Sequence, residues 1–492
     1  MSGSHNTPSS SGSGALLTDL YQLTMAQGYW KSGLAEREAV FHLFFRRLPF
    51  SGGYAIAAGL EPAVEWLEAL RFESEDLEYL GGLTGSDAEP LFEPLFLKFL
   101  ESVRFDGDLD ALPEGTLCFP HEPLLRVRAS LLVAQLVETY LLNQINFQTL
   151  IATKAARVCR AAGEDPVLEF GLRRAQGVDG ALTASRAAYL GGCAATSNVL
   201  AGKRYGIPVK GTHAHSWVMV FENELESFQA YARAMPNNCV FLVDTFDTIR
   251  GVRRAIEVGR HLREAGHEML GVRLDSGDLA TLSIEARRLL DEAGFESAQI
   301  VASNDLDESA IEELKGQGAR IGVWGVGTKL VTCHDQPALG GVYKLAALRE
   351  VEGSWRYTLK CSEDPIKVSI PGILQVRRFC QEGRFVSDLI YDESLGVTAP
   401  VRRVDLEDPS DSVPIESWSS GEDLLVPVLR GGRRSGDLPS LESSRDRVRE
   451  QMAGLPAGCR ERTGPDRYPV GIEPRLSARR ELLIQKAREE TA

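Results

Sequence analysis

From Pro166 to Thr328 the chain repeats one pattern: a short apolar run, a polar cluster, then an amphipathic stretch with helical spacing. The runs are VLEFG (167–171), CAATS (193–197), PVKGT (208–212), VFLVD (240–244), GVRLD (271–275), IVASN (300–304) and IGVWGVGT (321–328). Several recur about every thirty residues, the length of a strand-helix unit. A strand that is apolar throughout must be covered on both faces, which requires a parallel sheet wrapped by helices. Polar residues follow the runs directly at Arg173, Thr212, Asp244, Asp275, Asn304 and Thr328. Residues so placed line the C-terminal mouth of a barrel, so a parallel α/β barrel is expected rather than an open sheet.

Before the barrel, Leu16–Tyr29 and Pro62–Leu70 read as helices, Phe41–Phe45 as a strand, Gly115–Leu132 as strands and Val133–Ala162 as a helix. The expected division is a mixed α+β N-terminal domain over 15–150, the barrel over 151–345, and a segment over 346–492 that returns to the N-terminal domain. Past Arg402 the composition turns to Ser, Asp, Glu, Pro and Gly, read as a peripheral C-terminal extension with a last helix at Leu441–Met452. Residues 1–14 are rich in Ser and Gly and have no apolar centre, which predicts a disordered tail rather than a secretion signal.

A formal charge of −15 and a pI near 5.2 argue against nucleic-acid or anionic-membrane partners and require local basic residues for any anionic substrate. The most apolar long stretch, Tyr140–Thr153, carries Asn143, Gln144, Asn146 and Gln148, so no membrane span is expected. The closest two of the eight cysteines are nineteen positions apart, which excludes a CxxC clip and suits reduced, cytoplasmic thiols.

In GVWGVGT, Gly325, Gly327 and Thr328 offer successive N–H groups and a hydroxyl to a phosphate, or simply make a turn. The spacing is neither a Walker A loop nor GxGxxG. In GVRLDSGDL, Arg273 stands beside Asp275 and Asp278, a cation next to Mg²⁺-binding acids suited to phosphates and a carboxylate; the plain alternative is a surface ion-pair loop. PVKGTHAHSW sets Thr212, His213, His215 and Ser216 directly after a strand. Two histidines two apart in extended chain face the same side, but with no third ligand nearby a nucleophilic or acid/base histidine is expected ahead of a metal site, with a structural histidine as the alternative. VFLVDTFDTIRG superficially resembles the ribose-diphosphate motif of type I phosphoribosyltransferases; its second acid is displaced to Asp247, so Asp244 reads as a strand-end acid.

Nine blocks together resemble the nicotinate phosphoribosyltransferase family in order and wording: LLTDLYQLTMAQGYW (16–30), FRRLPFSGGYAIAAGLE (45–61), EFGLRRAQG (169–177), GTHAHSWV (211–218), LVDTFDT (242–248), RLDSGDL (273–279), SND (303–305), GVGTKLVT (325–332) and GGVYKLA (340–346). The resemblance implies an irregular parallel α/β barrel of the quinolinate phosphoribosyltransferase-like kind, working as a homodimer with sites near the subunit interface. It implies formation of nicotinate mononucleotide and pyrophosphate from nicotinic acid and phosphoribosyl pyrophosphate, coupled to ATP hydrolysis, in the Preiss–Handler route of NAD biosynthesis. The roles it implies are Tyr21, Thr212 and Arg273 for nicotinate and His215 as a phosphohistidine. It also implies Thr328 for phosphoribosyl pyrophosphate. Gly325, Gly327, Arg173, Ser303 and Asn304 are further phosphate candidates, and Asp275 with Asp278 are candidates for Mg²⁺. Departures lie at His213, where the family position is variable, in the tail, and in the extension after Arg402. A sister transferase for nicotinamide or quinolinate and a noncatalytic barrel that binds a phosphorylated ligand are the competing readings.

Overall fold

The computed structural model describes residues 14–362, 364, 367–406 and 408–489, so the expected tail, Gly14 apart, lies outside the described residues. The chain divides into two compact units, Met1–Thr149 with Leu339–Ala492, and Leu150–Ala338.

In Leu150–Ala338 six strands pair in parallel in the order Ala195–Thr196, Val167–Glu169, Val323–Val326, Gln299–Ala302, Gly271–Leu274, Val240–Leu242. They are short and mostly buried, as the apolar runs require. The following helices start where an Asn or Asp side chain accepts an N–H of the first turn: Asn198 from Ala201, Asn223 from Glu226, Asp247 from Arg250, Asp278 from Thr281 and Asp307 from Ala310. Each such cap is worth about 1 kcal/mol and fixes where its helix begins.

The run PVKGT makes a single bridge, Val209 to Thr196, instead of a full strand. Pro208 has no N–H to give, and its carbonyl accepts from Thr196 while the Lys210 N–H donates back to the Thr196 carbonyl, both at 3.0 Å. The backbone ladder is thus open between Ala195–Thr196 and Val240–Leu242. Residues 208–213 span that gap, bonded by backbone to the first edge and by a side chain to the second, where the Leu242 N–H donates to His213 Nε2 at 3.2 Å. The parallel sheet is therefore not closed by backbone pairing among the described residues; the expected barrel is seen as a six-stranded parallel sheet whose two edges are linked through residues 208–213.

The other unit rests on two sheets. A seven-stranded sheet runs Trp355–Tyr357, Val342–Arg349, Glu38–Phe44, Leu125–Ser130, Asp108–Ala111, Val426–Arg430, Arg433–Arg434. At its centre Leu43 faces Leu125 on one side and Tyr343 on the other. A six-stranded sheet runs Ser412–Pro414, Arg402–Val404, Val470–Ile472, Arg384–Asp392, Leu374–Gln381, Ser420–Asp423. Residues beyond Arg402, read from composition as an extension, thus supply strands to both sheets. Several lie at sheet edges, where one face stays wet and polar residues are tolerated.

This unit buries one dense ionic group. Arg378 is 2% exposed and Asp388 fully buried. Arg378 Nε and Nη2 donate to the Asp388 carboxylate at 3.0 and 2.6 Å, and the Tyr468 hydroxyl donates to the same carboxylate at 2.8 Å. Burial, then the Asp388 charge beside it, pushes the Glu122 carboxyl well above its usual range.

Candidate active site

The C-terminal ends of the parallel strands bring the predicted residues together around one guanidinium. Arg273, on the Gly271–Leu274 strand and with its side chain 12% exposed, donates from Nε to Ser303 Oγ at 2.9 Å, from Nη1 to Thr212 Oγ1 at 3.0 Å and from Nη2 to Asp275 Oδ1 at 3.1 Å. Ser303 also hydrogen-bonds to Asp275. Three of the five guanidinium donors are used among the described residues, leaving one on each terminal nitrogen, the number a carboxylate accepts in a bidentate pair. Burial works against the charge of Asp275, but the Ser303 hydroxyl, Arg273 and His215 together hold its pKa below the usual carboxylate range. Thr212, Arg273, Asp275 and Ser303 are therefore one connected cluster.

His215 opens the short helix His215–Met219. Its Nδ1 lies 3.0 Å from Thr245 Oγ1 and its Nε2 3.7 Å from Asp275 Oδ2, so one ring nitrogen has a hydroxyl partner and the other faces a carboxylate. With its side chain 39% exposed, the ring can be reached from solvent. The expectation that His213 and His215 share a face is corrected. The chain turns into the helix at Ala214, and His213 is buried with its Nε2 on Leu242 while His215 is open. No group of three or more His, Cys, Asp or Glu is placed to hold a metal among the described residues.

Asp244 supports the cluster from the next strand end: its Oδ2 accepts from the Asp275 N–H at 2.8 Å and the Ser276 hydroxyl at 2.6 Å. Its Oδ1 is buried and has no hydrogen bond among the described residues. Asp278 is turned toward its own helix, with Oδ1 accepting from the Thr281 N–H and Oδ2 from the Thr281 hydroxyl.

Phe170, Thr245 and the bracing role of Asp244 were missed by sequence reasoning. Phe170 follows the Val167–Glu169 strand, and Arg273 sits over its ring at 5.9 Å. The ring lies against Gly325, where a Cβ would come within 2.8 Å of it; that glycine is needed for close approach. The motif FG beside RR was the available signal. Below it, buried Glu169 accepts from Ser185 Oγ at 2.8 Å, Thr196 Oγ1 at 2.5 Å and the Gly171 N–H, fixing the turn that leads to Arg173.

The phosphate candidates are placed as follows. Arg173 is exposed in the turn Leu172–Arg174. Asn304 is exposed and left-handed at φ 101°, and Gly327 and Thr328 begin the short helix Thr328–Val331. None of these hydrogen-bonds to the Arg273 cluster among the described contacts, whereas Ser303 belongs to it. Tyr21 stands in the other unit, on the helix Leu20–Lys31, 48% exposed.

A likeness to the crystal structure of a nicotinate-nucleotide pyrophosphorylase from Pyrococcus furiosus, with a TM-score of 0.68 at 22% identity over 92% of this chain and 99% of that one, shows the fold alone. The fold is that of the quinolinate phosphoribosyltransferase-like α/β proteins. Three family models match in succession: the nicotinate phosphoribosyltransferase N-terminal domain at residues 16–146, the nicotinate phosphoribosyltransferase family at 166–365, and the C-terminal domain at 375–479. The nicotinate phosphoribosyltransferase of Bacillus subtilis (strain 168) is 44% identical over 470 residues, covering 93% of this chain and 92% of its own. The crystal structure of human nicotinic acid phosphoribosyltransferase superposes with a TM-score of 0.83 at 34% identity, over 95% of this chain and 99% of that one. The chain belongs to the nicotinate phosphoribosyltransferase family. The C-terminal match takes in the polar strands beyond Arg402, which the sequence resemblance, whose last block ends at residue 346, did not reach.

Proposed function

We propose that the chain is an enzyme that joins nicotinic acid to phosphoribosyl pyrophosphate, giving nicotinate mononucleotide and pyrophosphate in NAD biosynthesis, with ATP as a coupled substrate. The observation that carries this reading is the Arg273 fork, braced on three sides and with two donors left, at the mouth of a barrel of this family. The pyridine nitrogen attacks the anomeric carbon as the bond to pyrophosphate breaks, through an oxocarbenium-like state, so the site must hold charge in place more than supply a strong base. Arg273 and Thr212 receive the nicotinate carboxylate; Tyr21 stacks on the ring; Thr328, Gly325, Gly327, Arg173, Ser303 and Asn304 receive phosphates. Gly325→Ala should push the Phe170 ring toward Arg273 and lower kcat/KM for nicotinate roughly 10- to 100-fold. Steady-state kinetics with each substrate varied checks this, and an unchanged constant would place nicotinate elsewhere.

Carboxylate oxygens with substrate phosphates are the donors Mg²⁺ takes, and the buried, unbonded Oδ1 of Asp244 next to Asp275 fits such a cation. Asp275 and Asp244 would hold it, with Asp278 joining only if it leaves its cap on Thr281. When bound, Mg²⁺ supplies charge neutralisation for pyrophosphate as it leaves. Exposed Val178, Val199, Met219, Val220 and Phe246 on the barrel unit support a homodimer. Eight free thiols support a reducing, cytoplasmic setting; no helix among the described residues is long and apolar enough to cross a membrane.

ATP is read as phosphorylating His215: an imidazole nitrogen attacks the γ-phosphorus, ADP leaves, and water later removes the phosphate once product has formed. His215→Ala should lose ATP stimulation while keeping a residual ATP-independent transfer. Acid-labile label from γ-labelled ATP on the 211–218 peptide is the expected result, and equal label in the His215 variant would overturn the assignment.

A further inference from the structure

We infer that His213 is a positioning residue for this site: its Nε2 replaces a missing strand-to-strand bond and thereby sets where its neighbours Thr212 and His215 stand. The inference rests on the nicotinate reading of the Arg273 cluster. Leu242, whose N–H the ring accepts at 3.2 Å, is the residue paired with Arg273 in the parallel ladder. His213 therefore pins the segment at the level of the guanidinium, and one residue earlier Thr212 Oγ1 accepts from that guanidinium at 3.0 Å. Two residues later His215 meets Thr245 and faces Asp275. Upstream, the backbone bonds that hold the segment among the described residues are those of the Val209 bridge. Without the His213 bond, residues 211–214 would have no hydrogen bond to Val240–Leu242 among the described contacts, and Thr212 would be held by its own side-chain contacts.

The ring suits the task chemically. It is 7% exposed, tilted against Tyr231 with 4.9 Å between ring centres and against Phe228 at 6.2 Å. An Nε2 that accepts must be bare, so the proton sits on Nδ1, which faces the Ala214 carbonyl at 3.4 Å. Burial pushes its pKa down to about 4, with Arg273 and His215 also disfavouring a charge, so the acceptor form persists through neutral pH. His213 is thus a neutral prop, and the phosphoryl chemistry is left to His215.

Two substitutions separate the acceptor from the ring. His213→Phe keeps aromatic packing and removes the acceptor, while His213→Gln offers an amide oxygen near the Nε2 position and removes the ring. The expected result is a KM for nicotinate raised ~10-fold or more in the Phe variant, the loss expected for one hydrogen bond, with restoration to within about twofold by Gln. A Phe variant with wild-type constants, or both variants impaired alike, overturns the inference. Wild-type protein that forms no nicotinate mononucleotide would instead sink the functional reading beneath it. Should the Phe variant not fold, ¹⁵N spectra of histidine-labelled wild-type protein decide: a bare, hydrogen-bonded Nε2 unchanged from pH 8 to pH 5 is expected, and a ring titrating near its ordinary value overturns the assignment.

Discussion

Arg273→Lys should lower kcat/KM for nicotinate by roughly 10- to 100-fold while the KM for phosphoribosyl pyrophosphate moves by less than about threefold. Lysine keeps the charge but has one nitrogen where the guanidinium has three. It cannot hold Ser303, Thr212 and Asp275 and still offer two parallel donors. A charged hydrogen bond lost to a buried partner costs about 1.5–3 kcal/mol, which gives the quoted range. The loss should be greatest for the acid: activity on nicotinamide, whose amide needs no bidentate cation, should fall less. Initial-rate kinetics on the two pyridines tests this directly. Equal losses for nicotinate and phosphoribosyl pyrophosphate would mean that Arg273 grips a phosphate.

Asp388→Ala should destabilise the protein by about 3–5 kcal/mol, because it leaves the guanidinium of Arg378 buried without its counter-charge. The remaining partners are Gln451 Oε1 at 2.6 Å and the Leu117 carbonyl at 2.9 Å, neither of them charged. Glu122, whose carboxyl burial and then the Asp388 charge push well above its usual range, would ionise more readily once Asp388 is gone, its bond from the Phe119 N–H favouring the charged form, and that limits the loss. In calorimetry the melting transition should drop on the order of 10 °C. A drop of about 1 °C or less would show that the pair contributes no net stability.

The parallel strands were legible because a strand covered on both faces is written as a continuous apolar run, and six of the seven runs overlap a strand, each run ending one or two residues past it. The exception, PVKGT, shows the limit. Its apolar content matched, but Pro208 and the need to turn into the His215 helix leave one bridge only. The His213 bond was illegible because its partner is a backbone N–H 29 residues away, and nothing local marks a side chain that substitutes for backbone. The same holds for Asp244, whose bond to the Asp275 N–H spans 31 residues. Asp278 was expected near Mg²⁺, yet like Asp247 it caps a helix, because an Asp four or five residues past a strand end satisfies either role. Strands such as Ser412–Pro414 and Ser420–Asp423 were missed since edge strands carry no apolar alternation. Tyr21 and Arg273 came from wording shared with a family, and spacing alone would not have paired them.

The strand Glu38–Phe44 sits between one partner at Leu125–Ser130 and another at Val342–Arg349, and Leu43 meets Tyr343 three hundred positions later in the chain. During synthesis at ~5–20 residues per second, roughly 15–60 s separate the emergence of the two. Through that interval AVFHLF has one neighbour and one bare edge, while the whole of Leu150–Ala338 leaves the ribosome. The nascent chain therefore carries a sticky, half-finished sheet for most of its production. Yield in a foreign host should depend on temperature, translation rate and chaperone supply more than on the stability of the finished enzyme.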